Sequence, residues 1–397
     1  MNEQTIYIID DEQQTVDLLA EYARLLGCKV CVYTEAVKFF EEADSCDDNA
    51  ILVLDLIMPG MDGVEVMRQM VETGKIVPLI LMSGYDSGVL HSAEQLAKAY
   101  SLDIIATINK PVEFKLFKNI LEKYSKIERQ SYSRSEFKIE VSDLETALKD
   151  DQLVLHYQPQ IDVKSGSLAG VEALVRWQHP QHGLIYPDSF ISMAEDNGLI
   201  GDLTSQVIKQ AMEQSLYWKS RKLVLQVSVN VSADNITSLS LPELLSSMLD
   251  THQLDPTMLT LEVTESALMG ELITSLDILT RLRMKGIELS IDDFGTGYSS
   301  LSQLYRMPFT ELKVDQSFVM NMQHDHEARG IVKTCITLGH ELNMHVVAEG
   351  VEDKETFLLL KEMGCDIAQG YYFAKPMPAE NLISWNDSRN QAESENT

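Results

Sequence analysis

Short apolar strands alternate with amphipathic helical stretches along almost the whole chain, and this rhythm limits the possible folds more than any composition value. In the first half the strands read "TIYIID", "KVCVYT", "AILVLD", "PLILMSG" and "IIATINK", with helix-like stretches such as "TVDLLAEYARLLG" and "GVEVMRQMVETG" between them. Strands joined by helical crossovers pair in parallel, and a parallel sheet is covered on both faces. Near-continuous apolar strands are what such a sheet requires, so residues 1–122 are expected to form a five-stranded parallel α/β domain. The stretch "EKYSKIERQSYSRSEFKIEVSD" then breaks the rhythm with charge and few apolar anchors. Residues 123–138 are read as a linker, helical at its start; a second βα series follows over 139–386, and 387–397 form a polar tail with no means of burying itself.

Composition enters mainly as exclusion. The 397 residues suffice for two domains, and 45% hydrophobic with 23% charged residues describes a globular chain. A formal net charge of −29 argues against non-specific binding to nucleic acid or anionic membrane, yet permits an anionic small ligand if cations mediate the contact. No apolar run approaches the roughly 20 residues of a membrane helix, and the N-terminus carries no signal-peptide pattern. Cys28, Cys31, Cys46, Cys335 and Cys365 form an odd, scattered set, as expected of reduced thiols in the cytoplasm. "CKVC" has C-x-x-C spacing, but in a strand residues three apart point to opposite faces, and no second ligand pair exists; it is read as filler.

The strands of the second half carry polar residues on one parity. In "LQVSVNVS", Gln226, Ser228, Asn230 and Ser232 alternate with Leu225, Val227, Val229 and Val231. "LTLEVTES" sets Thr260, Glu262 and Thr264 against Leu259, Leu261 and Val263; "IELSIDD" sets Glu288, Ser290 and Asp292 against Ile287, Leu289 and Ile291. "ELKVD" places Lys313 and Asp315 opposite Leu312 and Val314, and "GVEALVRW" places Glu172 and Arg176 opposite Val171, Ala173 and Val175. Alone, each reads as a half-exposed strand of an antiparallel sheet. Strands separated by helical stretches form parallel sheets, however, and a polar parity in those needs an interior. A closed (β/α) barrel provides one, and about eight strands fit the roughly 245 residues available.

Polar groups late in barrel strands meet at the C-terminal mouth, where such folds do their chemistry. Glu172, Asn230, Glu262, Asp292, Asp293, Lys313 and Glu349 would gather there. So many carboxylates repel one another unless metal lies between them. Oxygen-only ligands select hard divalent cations, Mg²⁺ or Mn²⁺, and the number of carboxylates suits two ions bridged by one aspartate. Paired ions of this kind are the usual device for cleaving phosphodiesters, and they let a very acidic protein hold an anionic substrate.

"EALVRW" at these positions resembles the signature of the EAL-domain cyclic di-GMP phosphodiesterases. The resemblance continues in family order through "YQPQ", "VSVNVS", "LEVTES", "DDFGTGYSSL", "LKVD", "AEGVE" and "AQGYYFAKPMP". It implies a (β/α)8 TIM-like barrel with one antiparallel strand, supplied by "LVLHYQPQID", and hydrolysis of one phosphodiester of cyclic di-GMP to linear pGpG with Mg²⁺ or Mn²⁺. By the resemblance, Glu172, Asn230, Glu262 and Asp292 bind a first ion, and Asp292, Asp293 and Glu349 a second. Lys313 holds the attacking water, and Glu349 is either ligand or general base. Catalysis would thus rest on Glu172, Lys313 and Glu349. Gln158, Leu174, Arg176, Asp315 and Gln369 are expected to contact substrate, Arg176 and Gln158 through phosphate and guanine. Glu265 anchors the loop holding Gly295 and Gly297, which supports the second ion and a homodimer contact. No metal position departs from the pattern, which favours catalysis over a receptor that binds without cutting.

In the first half, Asp10 and Asp11 end the first strand, Asp55 the third, Ser83 the fourth and Lys110 the fifth. In a doubly wound sheet these ends converge at the topological switch point. Three carboxylates there suit one Mg²⁺, while a lysine and a hydroxyl can hold phosphoryl oxygens. The set resembles the flavodoxin-like receiver domain of two-component response regulators. That resemblance makes Asp55 the phosphoacceptor, gives Asp10, Asp11, Asp55 and the Ile57 carbonyl to one Mg²⁺, and gives Ser83 and Lys110 to the phosphoryl group. Thr107 stands where the family usually has a rotating aromatic, so the signal is expected to leave by the fourth strand or a dimer contact. The whole reads as a cytoplasmic response regulator, phosphorylated by a histidine kinase, whose output is cyclic di-GMP hydrolysis. Neither DNA binding nor membrane insertion is expected.

Overall fold

The computed structural model describes residues 4–42, 50–84, 87–100, 102–132, 139–269, 272–296 and 301–395. The chain divides into two compact units, 1–138 and 139–397.

The first unit alternates β1 (Thr5–Ile9), α1 (Gln13–Leu25), β2 (Lys29–Tyr33), α2 (Ala36–Glu42), β3 (Ala50–Asp55), α3 (Gly63–Thr73), β4 (Leu79–Ser83), α4 (Ser87–Ala99), β5 (Ile104–Asn109) and α5 (Phe114–Tyr132). All strand pairs are parallel, in the order β2-β1-β3-β4-β5. The apolar strands split by parity into two cores: Ile9, Leu52, Leu54 and Leu81 pack on one face, and Ile8, Ile51, Val53 and Ile80 on the other. β1, β3 and β4 are therefore buried on both sides, as their unbroken hydrophobicity demands. α3 starts where the Asp62 carboxylate accepts the Glu65 amide, an N-cap that fixes the chain just after Asp55.

The second unit is a closed barrel. Its elements are α6 (Val141–Lys149), β6 (Leu153–Asp162), β7 (Leu168–His179), β8 (Gly183–Ile185), α7 (Ile191–Asp196), α8 (Ile200–Ser220), β9 (Gln226–Val231), α9 (Leu241–His252), β10 (Leu259–Thr264), α10 (Leu272–Met284), β11 (Glu288–Phe294), α11 (Leu301–Arg306), β12 (Glu311–Val314), α12 (Gln316–Asn321), α13 (His326–Glu341), β13 (His345–Ala348), α14 (Lys354–Met363), β14 (Ile367–Gln369), β15 (Met377–Pro378) and α15 (Ala379–Glu395). The ring runs β6-β14-β13-β12-β11-β10-β9-β7, and β7 pairs with β6 to close it. β6 is antiparallel to both neighbours and the other pairings in the ring are parallel; β8 and β15 add short antiparallel strands outside it. Val227, Val229, Leu261, Leu289, Ile291 and Leu312 join the core beneath the helices, while Ser228, Thr260, Glu262, Ser290, Glu311 and Lys313 are buried on the other parity, inside the ring.

β11 carries one extra residue. Ile291 pairs with Leu312 and Phe294 with Val314, so three steps on β11 face two on β12. Asp293 takes up the excess in a left-handed conformation, φ +55°. α5 continues to Tyr132, through the start of the stretch read as a linker. One segment differs from the sequence reading. α15 runs to Glu395 where a polar tail is expected: Leu382 is fully buried, and the Arg389 guanidinium lies 5.3 Å from the Phe373 ring and 5.8 Å from that of Trp385. A single arginine stem supplies the anchoring that few apolar residues could.

Candidate functional site

The C-terminal ends of the ring strands bring the polar parity together. Lys313 of β12 is 1% exposed, and its Nζ is the hub. It lies 2.7 Å from Glu262 Oε2 on β10, 2.7 Å from Glu349 Oε1 just past β13, 3.2 Å from Asp292 Oδ1 on β11 and 3.7 Å from Glu172 Oε2 on β7. Asn230 of β9 donates from Nδ2 to Glu172 Oε1 at 2.8 Å, which leaves its carbonyl oxygen for another partner. Gln369 of β14 donates from Nε2 to Glu172 Oε2 at 2.5 Å and to Gln158 Oε1 at 3.1 Å. Every strand of the ring thus contributes a side chain to one mouth.

Charge in this mouth is out of balance. One ammonium faces four carboxylates within 4 Å, a formal excess of three negative charges before Asp293 is counted. Burial pushes Glu349 up to about 8, with the charges of Asp292 and Glu172 adding to it against the pull of Lys313. Burial and the adjacent Asp292 raise Asp293 to about 6. Burial likewise holds Glu262 well above its ordinary value, with the Glu172 and Asp292 charges reinforcing it against Lys313. Glu172 goes the other way: burial would raise it, but Lys313 and the hydrogen bonds from Gln369 and Asn230 outweigh that. Burial also works against a charged Lys313, yet Asp292, Glu172, Glu262 and Glu349 hold its pKa well above the usual range.

The donor set fits a divalent cation. Oxygens of Asp292, Asp293 and Glu349 lie within 4.8 Å of one another, and Glu262 Oε1 is buried without a hydrogen-bond partner among the described residues. Carboxylate and amide oxygens with no thiol or imidazole among them suit Mg²⁺ or Mn²⁺. The β11 bulge aims both aspartates inward, for strict alternation would turn Asp293 away from Asp292. Glu265 holds the turn that follows: it is buried, and its Oε2 accepts the Gly295 amide at 3.1 Å. Gly295 has φ +103°, and a Cβ there would sit 3.0 Å from the Phe318 ring. Gly297 lies outside the described residues.

The remaining sequence-derived positions surround this core. Asp315 caps α12, its Oδ1 accepting the Ser317 amide at 2.9 Å and the Ser317 hydroxyl. Leu174 and Asn230 border a cavity of about 470 Å³ walled by Ile191, Ile200, Leu203 and Val207. Arg176 is buried, donates from Nη1 to the Val175 carbonyl at 2.8 Å, and lies 5.0 Å from the Tyr186 ring. Tyr186 is absent from the sequence-derived set, because a loop residue stacking on a strand residue leaves no periodic trace. Glu311 is another omission, and here the signal exists: it shares the parity of Lys313 and Asp315 and is buried inside the ring.

In the first unit the strand ends also converge. Oxygens of Asp10, Asp11 and Asp55 lie within 4.8 Å of one another. Lys110 Nζ sits 2.6 Å from Asp55 Oδ2 and 2.7 Å from Asp10 Oδ2. Ser83 is fully buried, and its carbonyl accepts the Lys110 amide at 2.9 Å. The exposed Ile57 donates its amide to Asp55 Oδ1 at 3.3 Å. Burial raises Asp10 against the pull of Lys110. Among the described residues, Cys28, Cys31, Cys335 and Cys365 form no disulfide.

Fold and site define a class: an acidic, oxygen-lined barrel of eight strands preceded by a doubly wound domain with an acidic pocket at its switch point. The chain belongs to the EAL domain family, whose model matches residues 141–376, and the response regulator receiver domain matches residues 6–122. Cyclic di-GMP phosphodiesterase RocR of Pseudomonas aeruginosa is 29% identical over 392 residues, covering 97% of this chain and 99% of RocR. The bifunctional diguanylate cyclase/cyclic di-GMP phosphodiesterase MucR of the same organism is 44% identical over 243 residues, 61% of this chain but only 36% of MucR. Among solved structures, a PaMucR phosphodiesterase in complex with c-di-GMP superposes with TM-score 0.58 at 44% identity, over 61% of this chain and 98% of that one. No helix among the described residues is long and apolar enough to cross a membrane.

Proposed function

We propose that this protein is a phosphorylation-controlled phosphodiesterase that hydrolyses cyclic di-GMP to linear pGpG in the cytoplasm. The observation that carries the reading is the Lys313 hub: four strand-end carboxylates and an amide, in excess of the one cation they surround. Glu172, Asn230, Glu262 and Asp292 would hold one divalent ion, and Asp292, Asp293 and Glu349 a second. Bound there, Mg²⁺ or Mn²⁺ neutralises charge developing on the phosphate and acidifies water. Lys313, kept protonated by its neighbours, can donate hydrogen bonds and cannot act as base; it holds and polarises the attacking water. Glu349, 2.7 Å from Lys313 Nζ, serves either as ligand of the second ion or as the base that takes the proton. As the water oxygen bonds to phosphorus, the P–O3′ bond breaks and the 3′ oxygen takes up a proton. Arg176, Gln158 and Gln369 position phosphate and base.

In the receiver domain, Asp10, Asp11 and Asp55 would hold one Mg²⁺, and Asp55 accepts the phosphoryl group from a histidine kinase. Lys110 compensates the charge on the acceptor, and Ser83 lies at the adjoining strand end.

The test is chromatographic: full-length protein with Mg²⁺ and cyclic di-GMP, alongside other cyclic and linear dinucleotides. The expected product is pGpG from cyclic di-GMP, reduced by about a thousandfold in E172A. Binding without cleavage would overturn the catalytic reading in favour of a receptor, and a normal rate in E172A would overturn the ligand assignment.

A further inference from the structure

Arg176 presents a physical problem. It is 7% exposed, yet no carboxylate lies within 4.0 Å of it among the described residues. Its Nη1 bonds only to the carbonyl of the preceding residue, and its Nε is buried with no hydrogen-bond partner among the described residues. A guanidinium in that state is costly unless something else compensates it. The Tyr186 ring does: its centroid lies 5.0 Å from the guanidinium carbon, within range of a cation–π contact. The backbone that carries this ring is held on both sides. β8 pairs with β7 up to Ile185 opposite Trp177, Pro187 opens a 3-10 turn directly after Tyr186, and the Ser189 amide donates to the Tyr186 carbonyl at 3.1 Å. Tyr186 itself is 47% exposed, so the ring stands at the surface with its inner face on the arginine.

Arg176 lies four residues beyond Glu172 on the same face of β7, about 13 Å further along the strand at the usual rise. The guanidinium is therefore held beside the acidic mouth with donor capacity unspent. We propose that Tyr186 is a positioning residue of the phosphodiesterase: it holds Arg176 in place by stacking and keeps the arginine's free N–H donors ready for a phosphate of the cyclic dinucleotide. The inference rests on the cyclic di-GMP reading and adds to it a residue outside the family motifs quoted above. Because the ring matters rather than the hydroxyl, phenylalanine should substitute for it and alanine should not. Because Tyr186 acts through Arg176, its loss should have no effect once Arg176 is gone.

The experiment is a double-mutant cycle on the full chain, with Y186A, Y186F, R176A and the R176A/Y186A pair. It reads kcat and KM for cyclic di-GMP and, separately, equilibrium binding of cyclic di-GMP. Y186A is expected to raise KM and the dissociation constant about tenfold while kcat changes by less than about twofold. Y186F should restore both constants, and R176A/Y186A should match R176A. Y186A indistinguishable from wild type, Y186F as impaired as Y186A, or an undiminished Y186A effect in the R176A background would each overturn the proposal. Wild type that neither binds nor cleaves cyclic di-GMP would overturn the underlying substrate reading, and this inference with it.

Discussion

Glu311 and Lys313 are two residues apart on β12 and share one face, yet their environments oppose each other. Lys313 is surrounded by counter-charges, whereas Glu311 is 6% exposed with Oε1 lacking a hydrogen-bond partner among the described residues. Burial raises the Glu311 pKa. Its folded-state value then exceeds its unfolded one, so the neutral carboxyl stabilises the fold at low pH and that contribution is lost as pH rises through the folded pKa. E311Q should therefore flatten the decline of melting temperature as pH rises above the ordinary carboxylate range, measured in saturating Mg²⁺. An unchanged slope would show that Glu311 is ionised throughout. Parity along the strands made the inward residues legible from sequence: Glu172, Glu262, Asp292 and Lys313 do meet inside one ring. Asp293 and Tyr186 were beyond that logic, one depending on a bulge and the other on a loop.

The element that does most to shape the mouth is the end of β11. Its extra residue opposite β12 lets the adjacent Asp292 and Asp293 point into the same space at the end of a buried strand. Glu265 and Gly295 then secure the turn, one by accepting an amide and the other by adopting φ +103° against Phe318. In G295A the added Cβ meets that ring, and the backbone conformation is strained by about 1–2 kcal/mol. Turnover should fall far more than this loss of stability explains, since Asp293 shifts with the turn; normal turnover in G295A would contradict the role given to the bulge. Strand and helix alternation were legible throughout because buried parallel strands and amphipathic helices have different periods. The end of α15 was not, because helical continuation there depends on a few contacts such as Arg389 with Trp385 rather than on a hydrophobic stripe.

At the scale of the molecule, a receiver domain precedes an EAL domain in one chain, and the proposed function makes the first control the second. Thr107, exposed on β5, offers no aromatic to rotate with Ser83, so transmission by that device is not expected. Beryllofluoride, which mimics the phosphoryl group on Asp55, should raise turnover of wild type and leave D55A unresponsive. An identical rate with and without it in wild type would refute phosphorylation control. The central claim is nonetheless independent of regulation: the acidic mouth exists to hold divalent cations that make phosphodiester cleavage possible. Its most direct test is the rate of pGpG formation as Mg²⁺ is titrated from zero into EDTA-treated protein. The account predicts no turnover without metal and a rise to full rate as the barrel site fills; a rate in EDTA equal to that in Mg²⁺ would contradict it.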